Sequence, residues 1–189
     1  LTRSSAASDV YKRQPMIAIS IYRIGQLHLF GGDTELALEY ADNALGIANE
    51  TSNERVFHSI LPLKWSIYFR QKNYAKAMDE NVSEWYNWSI NSKMHIPLDA
   101  MSTYLVCLKK LNRDYDLSRL ETLMKETPER KYGYVTNYRL FQLYEKNTYL
   151  KNAYDEIMDL KSNLDKKTGD KFIKYPLERE IIEAYQSIS

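Results

Sequence analysis

The stretch MIAISIYRIGQLHLFGGDTELALEYADNALGIA, residues 16–48, decides the fold. Its apolar side chains fall three and four apart, first at Ile17, Ile21, Ile24 and Leu27, then at Leu36, Ala37, Tyr40, Ala41, Ala44, Leu45 and Ala48. That is the period of an amphipathic helix. Between the two runs stands Gly31-Gly32-Asp33-Thr34, where a glycine can take the left-handed conformation that ends one helix and Asp33 or Thr34 can cap the next. The stretch predicts a helical hairpin.

Downstream the same plan recurs. Gln71-Lys72-Asn73 separates helical runs over 56–70 and 74–90, and Asn112-Arg113-Asp114 separates 98–111 from 115–125. Lys146-Asn147-Thr148 separates 134–145 from 149–164. Stop signals lie between the hairpins, at 49–53, at 91–97, at Thr127-Pro128 and at 166–170 with Gly169. Pro97 and Pro128 read as boundaries, because proline cannot continue a helix interior and disfavours helix in the residue before it. Pro62 and Pro176 fall one to two turns inside predicted helices, which either begin later or are kinked there. Phe172, Ile173, Leu177, Ile181, Ile182 and Tyr185 predict one more helix, over 170–188 and without a partner. No stretch shows strand-like alternation, so the expected fold is all-α.

Residues 1–14 (LTRSSAASDVYKRQ) differ in character from the rest, with no helical apolar period until Met16. Asp9-Val10-Tyr11-Lys12-Arg13-Gln14 resembles the translation of a transposase adapter used in DNA library preparation. The expectation is a non-native segment 1–14 ahead of a helical domain 15–189 that is a piece of a larger protein; the alternative is a natural disordered arm.

Of 189 residues, 44% are hydrophobic and 27% charged, which fits neither a disordered chain nor a membrane protein. Lys plus Arg is 26 and Asp plus Glu 25, so the formal charge of +1 gives no bulk electrostatic reason to expect nucleic acid or an anionic membrane. A single cysteine, Cys107, removes any intrachain disulfide framework and any multi-cysteine zinc site. The three histidines, His28, His58 and His95, lack the i+3 to i+5 pairing of a helical metal site. His28 reads as a packed imidazole, and Cys107, beside Leu105, Leu108 and Leu111, as a small buried hydrophobe. No nucleophile, base and orienting group can be assembled from adjacent motifs, so neither an enzyme nor a cofactor or metal is expected.

The first hairpin resembles the tetratricopeptide repeat on Ile21, Ile24-Gly25, His28, Gly32, Ala37, Ala41 and Ala44-Leu45. The second carries Trp65, Tyr68, Asn73-Tyr74 and Ala77 in the matching positions, and the fourth Phe141, Tyr144, Leu150 and Ala153. The third is the poorest, with Tyr104, Cys107 and Pro128 in place and a one-residue slip before Leu117. First positions at Ala18, His58, Pro97 and Tyr134 give units of 18–57, 58–96, 97–133 and 134–169, longer than the standard repeat of about 34 residues. The resemblance implies a right-handed superhelix of about four hairpins plus the C-terminal helix. Small residues at Gly25, Ala37, Ala41 and Ala44 let helices approach, while large aromatic side chains fill the space between hairpins.

In this family the concave surface is lined by the first helix of each pair. The resemblance therefore implies a partner-binding groove of Tyr22, Gln26, Phe30, Ser59, Ser66, Arg70, Met101, Leu105, Lys109, Tyr138 and Gln142. For Phe30, Met101 and Leu105 the competing reading is core. Tyr22, Gln26 and Pro62 do not supply the family's clamp for a C-terminal carboxylate, which argues against a chaperone-tail receptor. Trp85, Tyr86 and Trp88 form the densest aromatic cluster and cannot all face one side of a helix, so they are a secondary contact candidate. The expected function is binding of a protein or peptide within a cytoplasmic bacterial regulatory or signalling protein, with no nucleic acid and no membrane bound by this segment. The alternative is a sensor domain for a small ligand or signal peptide, coupled to a DNA-binding or output domain.

Overall fold

The computed structural model describes residues 2–79, 82–91, 97–128 and 132–188, without the side chains of 2–12, 79, 83 and 90. Among them there are eleven helices and no strand: α1 Thr2–Gly31, α2 Thr34–Glu50, α3 Glu54–Arg70, α4 Tyr74–Asp79, α5 Val82–Asn91, α6 Leu98–Lys110, α7 Ser118–Glu126, α8 Tyr134–Tyr144, α9 Asn147–Ser162, α10 Lys166–Phe172 and α11 Pro176–Gln186. The all-α expectation holds. The chain divides into two compact units, 1–88 and 89–189, with the boundary inside α5. His95 and the linker over 92–96 lie outside the described residues.

In the first unit, helices are joined by one recurring corner. Gly32 has φ 88°, its N–H donates to the carbonyl of Leu29 (3.1 Å), and the next N–H, of Asp33, donates to that of His28 (2.9 Å). These are the two bonds of a Schellman end. Asp33 then starts α2, its carboxylate accepting from the Leu36 N–H at 3.1 Å. Ser52 (φ 50°) with Asn53, and Lys72 (φ 57°) with Asn73, repeat both halves: Asn53 accepts from the Val56 N–H and Asn73 from the Lys76 N–H. Residues 49–53, read as a linker between hairpins, are thus a corner as tight as those inside them, and α3 starts at Glu54.

Close approach at Gly25 holds the unit together. A Cβ there would stand 3.1 Å from Tyr40 Cβ and from a methyl of Leu63, and 3.3 Å from the carbonyl oxygen of Ala37, so α1 meets α2 and α3 at one point. Ala37, Ala41 and Ala44 are fully buried, and Leu29, Leu63 and Ile67 form one cluster with the first two. His28 stacks on Tyr40 at 5.2 Å. N-terminally, α1 continues past Pro15 to Thr2, so the backbone of the segment set apart by sequence is helical. Extension from an existing helix adds a hydrogen bond per residue without the cost of a nucleus, and proline removes only one of them.

Pro62 is interior to α3. Proline has no N–H for the carbonyl four residues earlier, which is that of His58. Trp85 supplies the missing donor, its indole Nε1 donating to the His58 carbonyl at 3.1 Å in a buried setting. The indole is 1% exposed and meets Trp65 edge-on at 4.8 Å.

The first whole helix of the second unit is α6, whose buried residues run almost around it: Leu98, Ala100, Met101, Ser102, Thr103, Leu105, Val106, Cys107 and Leu108. A helix so covered is core rather than wall. Its end repeats the Schellman bonds at Asn112 (φ 52°), where the Arg113 N–H donates to the carbonyl of Leu108. The next helix starts at Ser118, not at Tyr115 as the spacing predicts, because Asp116 turns the chain by accepting from the N–H and hydroxyl of Ser118. α8 and α9 form the last hairpin about Glu145 (φ 56°).

Residues 166–170, predicted as a linker, are helical. A Cβ on Gly169 would lie 3.1 Å from the Lys161 carbonyl oxygen, so this glycine marks close passage of α10 over the end of α9. Pro176 stands at the first position of α11, where its missing N–H costs nothing. Leu177 and Ile181 are buried against Leu150, Ala153 and Ile157, each contributing about 1.5–3 kcal/mol. Tyr185 stacks on Tyr154 at 4.2 Å, so the last helix is partnered by α9.

Two outcomes follow. Gly25→Ala is expected to lower stability by about 1–3 kcal/mol through overpacking, whereas Gly46→Ala, inside α2 with nothing within 4 Å, raises it by about 0.5–1 kcal/mol; thermal or urea unfolding reads both. Trp85→Phe is expected to cost about 1–3 kcal/mol by stranding the His58 carbonyl, and Pro62→Ala, which restores an N–H, to recover most of that loss in the double variant.

Candidate functional site

α7 ends at Thr127 in an extended conformation, and Pro128 prevents its continuation. The chain returns at Tyr132, whose hydroxyl donates to the Met124 carbonyl at 2.8 Å and whose own carbonyl accepts from Asn137 Nδ2 at 2.9 Å. Its ring is thereby fixed, 8% exposed, against the end of α7. Tyr144 closes α8 and Tyr149 lies in the first turn of α9, with ring centroids 6.1 Å apart. The Lys146 ammonium lies 5.8 Å from the centre of the Tyr144 ring.

These side chains enclose an open cleft of about 580 Å³ within the second unit. Met124 and Pro128 add apolar wall, and Lys125, Lys146 and Glu121 stand on its rim. Burial, then the nearby Glu121 carboxylate and the other two tyrosines, push the Tyr144 hydroxyl up to about 12. It stays protonated at neutral pH and can donate as well as accept. The described residues lining the cleft offer aromatic rings for stacking, hydroxyls for hydrogen bonding, and both signs of charge. Elsewhere in the unit, the Cys107 thiol is 1% exposed and raised by burial to about 12, which leaves no thiolate for nucleophilic attack.

The groove implied by resemblance is divided by burial. In the first unit Phe30 and Ser59 are exposed, and Tyr22, Gln26, Ser66 and Arg70 are half-buried. Gln26 donates to the Tyr22 hydroxyl at 2.8 Å, and Tyr22 also leans on the core of that unit. Phe30, at 39% exposure, is not core.

The second-unit members are mostly spent on structure. Met101 and Leu105 are 0% and 2% exposed, and no ligand can reach them. Lys109 donates to the Gln142 and Leu143 carbonyls at 3.0 and 3.1 Å and pairs with Glu145 at 2.7 Å, capping the end of α8. Tyr138 is buried and donates to Glu180 at 2.9 Å, while Gln142 accepts from Arg139. Trp85, from the aromatic cluster, is core; Trp88 stacks on His58 at 4.5 Å and, like Tyr86, is half-buried. The repeat template does not point to the tyrosine cleft, because it combines the end of a first helix, at Tyr144, with residues of α7, the start of α9 and the connections. The available signal was the tyrosine and lysine density of 144–149.

A comparison with known protein families, with curated proteins and with solved structures finds no match for this chain.

Lys109→Met, which keeps the apolar stem, is expected to cost about 1–2 kcal/mol in urea unfolding through the uncapped carbonyls of α8. Glu145→Gln leaves those two bonds in place and is expected to change stability little.

Proposed function

We propose that the chain is a non-enzymatic helical-repeat protein, of the tetratricopeptide kind its first hairpin resembles, that binds an extended peptide segment as part of a bacterial regulatory or signalling protein. The observation that carries this is the tyrosine cleft of the second unit. Tyr132, Tyr144 and Tyr149 offer large rings with few rotatable bonds, so stacking on them costs little side-chain entropy. Aromatic walls with a neutral hydroxyl suit an apolar or proline anchor and the peptide carbonyls beside it. Among the described residues lining the cleft, two lysines against one glutamate favour an acidic flank in the partner.

A small-ligand or signal-peptide sensor is the second reading. A volume of about 580 Å³ lies within the roughly 300–1,000 Å³ of small-molecule sites, and this observation favours it.

The test is selection from a displayed peptide library, followed by fluorescence anisotropy on the recovered sequences. Recovered peptides are expected to lose about tenfold or more in affinity with Tyr144→Ala, checked for folding by circular dichroism, and to be unaffected by Tyr22→Ala in the first unit. Peptides that bind Tyr144→Ala as well as the parent chain overturn the cleft as the site. No recoverable peptide, with a metabolite-screen hit lost in Tyr144→Ala, moves the assignment to the second reading.

A further inference from the structure

α1 is apolar on two opposite sides. Ala18, Gly25 and Leu29 form its buried side. Over residues 16–30 eight positions are exposed, and six of them are large and apolar: Met16, Ile17, Ile19, Ile24, Leu27 and Phe30. At about 3.6 residues per turn, Met16, Ser20 and Leu27 form a row on the side away from Ala18, Gly25 and Leu29. Ile17 and Ile24 run along one edge of that row, and Ile19, Arg23 and Phe30 along the other. Met16 and Leu27, in its middle, are 71% and 69% exposed.

The two polar residues do not break the stripe. Ser20 donates its hydroxyl to the Met16 carbonyl at 2.9 Å, inside its own helix. Arg23 can lay its stem on apolar surface and carry its guanidinium to the edge. Exposed apolar residues scattered singly are ordinary, but six on one side of one helix are a patch, and a helix apolar on both sides belongs inside an assembly. Taking roughly 200 Å² for each whole residue, their exposed fractions give about 600 Å², the upper end of what a monomer shows. Two such faces together cover about 1,200 Å² before any polar rim is added, which reaches the range of stable protein interfaces. With Arg23 the one charge among these exposed residues, what complements the stripe is another apolar helix face.

We propose that this face of α1 binds the same face of a second copy of the chain, the two helices running antiparallel about a two-fold axis near Arg23 and Ile24. A two-fold pair needs no second surface, because each copy presents the same patch to the other. With the axis there, Ser20 of each copy faces Leu27 of the other, a small side chain against a large one, and Ile24 meets its own counterpart. Ile19 of one copy and Phe30 of the other close the opposite edge. That edge also receives both Arg23 guanidinium groups, two like charges with no carboxylate among the exposed residues of the stripe to separate them. A parallel pair would put the two arginines on opposite edges. α1 belongs to the first unit and the tyrosine cleft to the second, so the pairing is a feature separate from the peptide site.

The experiment is sedimentation equilibrium of the full chain from micromolar to several hundred micromolar. A mass that rises from one chain to two and stops there is expected. Leu27→Glu changes an exposed residue and keeps the helical circular dichroism of the parent; it is expected to stay a single chain throughout, since pairing would bury two unpaired carboxylates. Leu160→Glu, at an exposed leucine of α9 in the second unit, is expected to pair like the parent. Arg23→Gln is expected to pair about threefold or more tightly, and added salt to tighten the parent more than this variant, because salt screens the like charges that the variant removes. A single chain at every concentration, a dimer as strong in Leu27→Glu as in the parent, or a mass that grows past two chains would overturn the proposal. A dimer lost in Leu27→Glu but not tightened by Arg23→Gln would overturn the antiparallel axis.

Discussion

A helix that ends leaves carbonyls without partners, and the helix that follows begins with N–H groups in the same condition; a chain that reverses in three residues must satisfy both inside the turn. At 32–33, 52–53 and 72–73 this is done the same way: a left-handed residue returns two N–H groups to the closing helix, and the following aspartate or asparagine accepts from the opening one. The left-handed serine and lysine cost about 1 kcal/mol each, offset by a cap contributing about 0.5–2 kcal/mol and by the carbonyls it protects. Once the corner forms, successive helices lie side by side in opposite directions and their apolar stripes face each other. Left-handed residues at 32, 52, 72, 112 and 145, spaced 20, 20, 40 and 33 apart, mark these turns, and the first three fall at an even interval.

This explains which parts of the fold were readable. Gly32-Asp33 announces its corner because both residue types are specialised for it, and Asn73 and Asn112 mark two more. Asn53 marks the 52–53 corner in the same way, but a turn inside a hairpin and one between hairpins carry the same residues, so that corner reads as a linker. Glycine and proline were ambiguous for a physical reason: each has two uses that differ only in the neighbour. Gly169 lies inside a helix because the Lys161 carbonyl presses on it, and Pro62 is tolerated because an indole 27 residues from the carbonyl it serves replaces the missing donor. Neither partner is visible in the local sequence.

The candidate site was less legible than the fold because a repeat template transfers positions but not exposures. Residues on the first helix of a pair line a groove only if that helix has an open face, and α6 has almost none. Met101 and Leu105 are therefore core, and Lys109 and Tyr138 make their polar contacts to neighbouring helices. The tyrosine cleft depends instead on where α7 stops and how Tyr132 is tied to its last turn, a matter of one hydroxyl bond to Met124.

Polar side chains in an all-helical chain have two fates: they close the structure, or they are left with capacity for something else. Lys109, Tyr138, Asn53 and Trp85 belong to the first kind, each matched to a backbone or side-chain partner. His58 divides between the two. Its carbonyl is taken by Trp85 because of Pro62, and its ring is clamped between Trp88 and Phe57, yet its Nδ1 is unmatched. The proline and the tryptophan thereby fix the backbone that carries the imidazole.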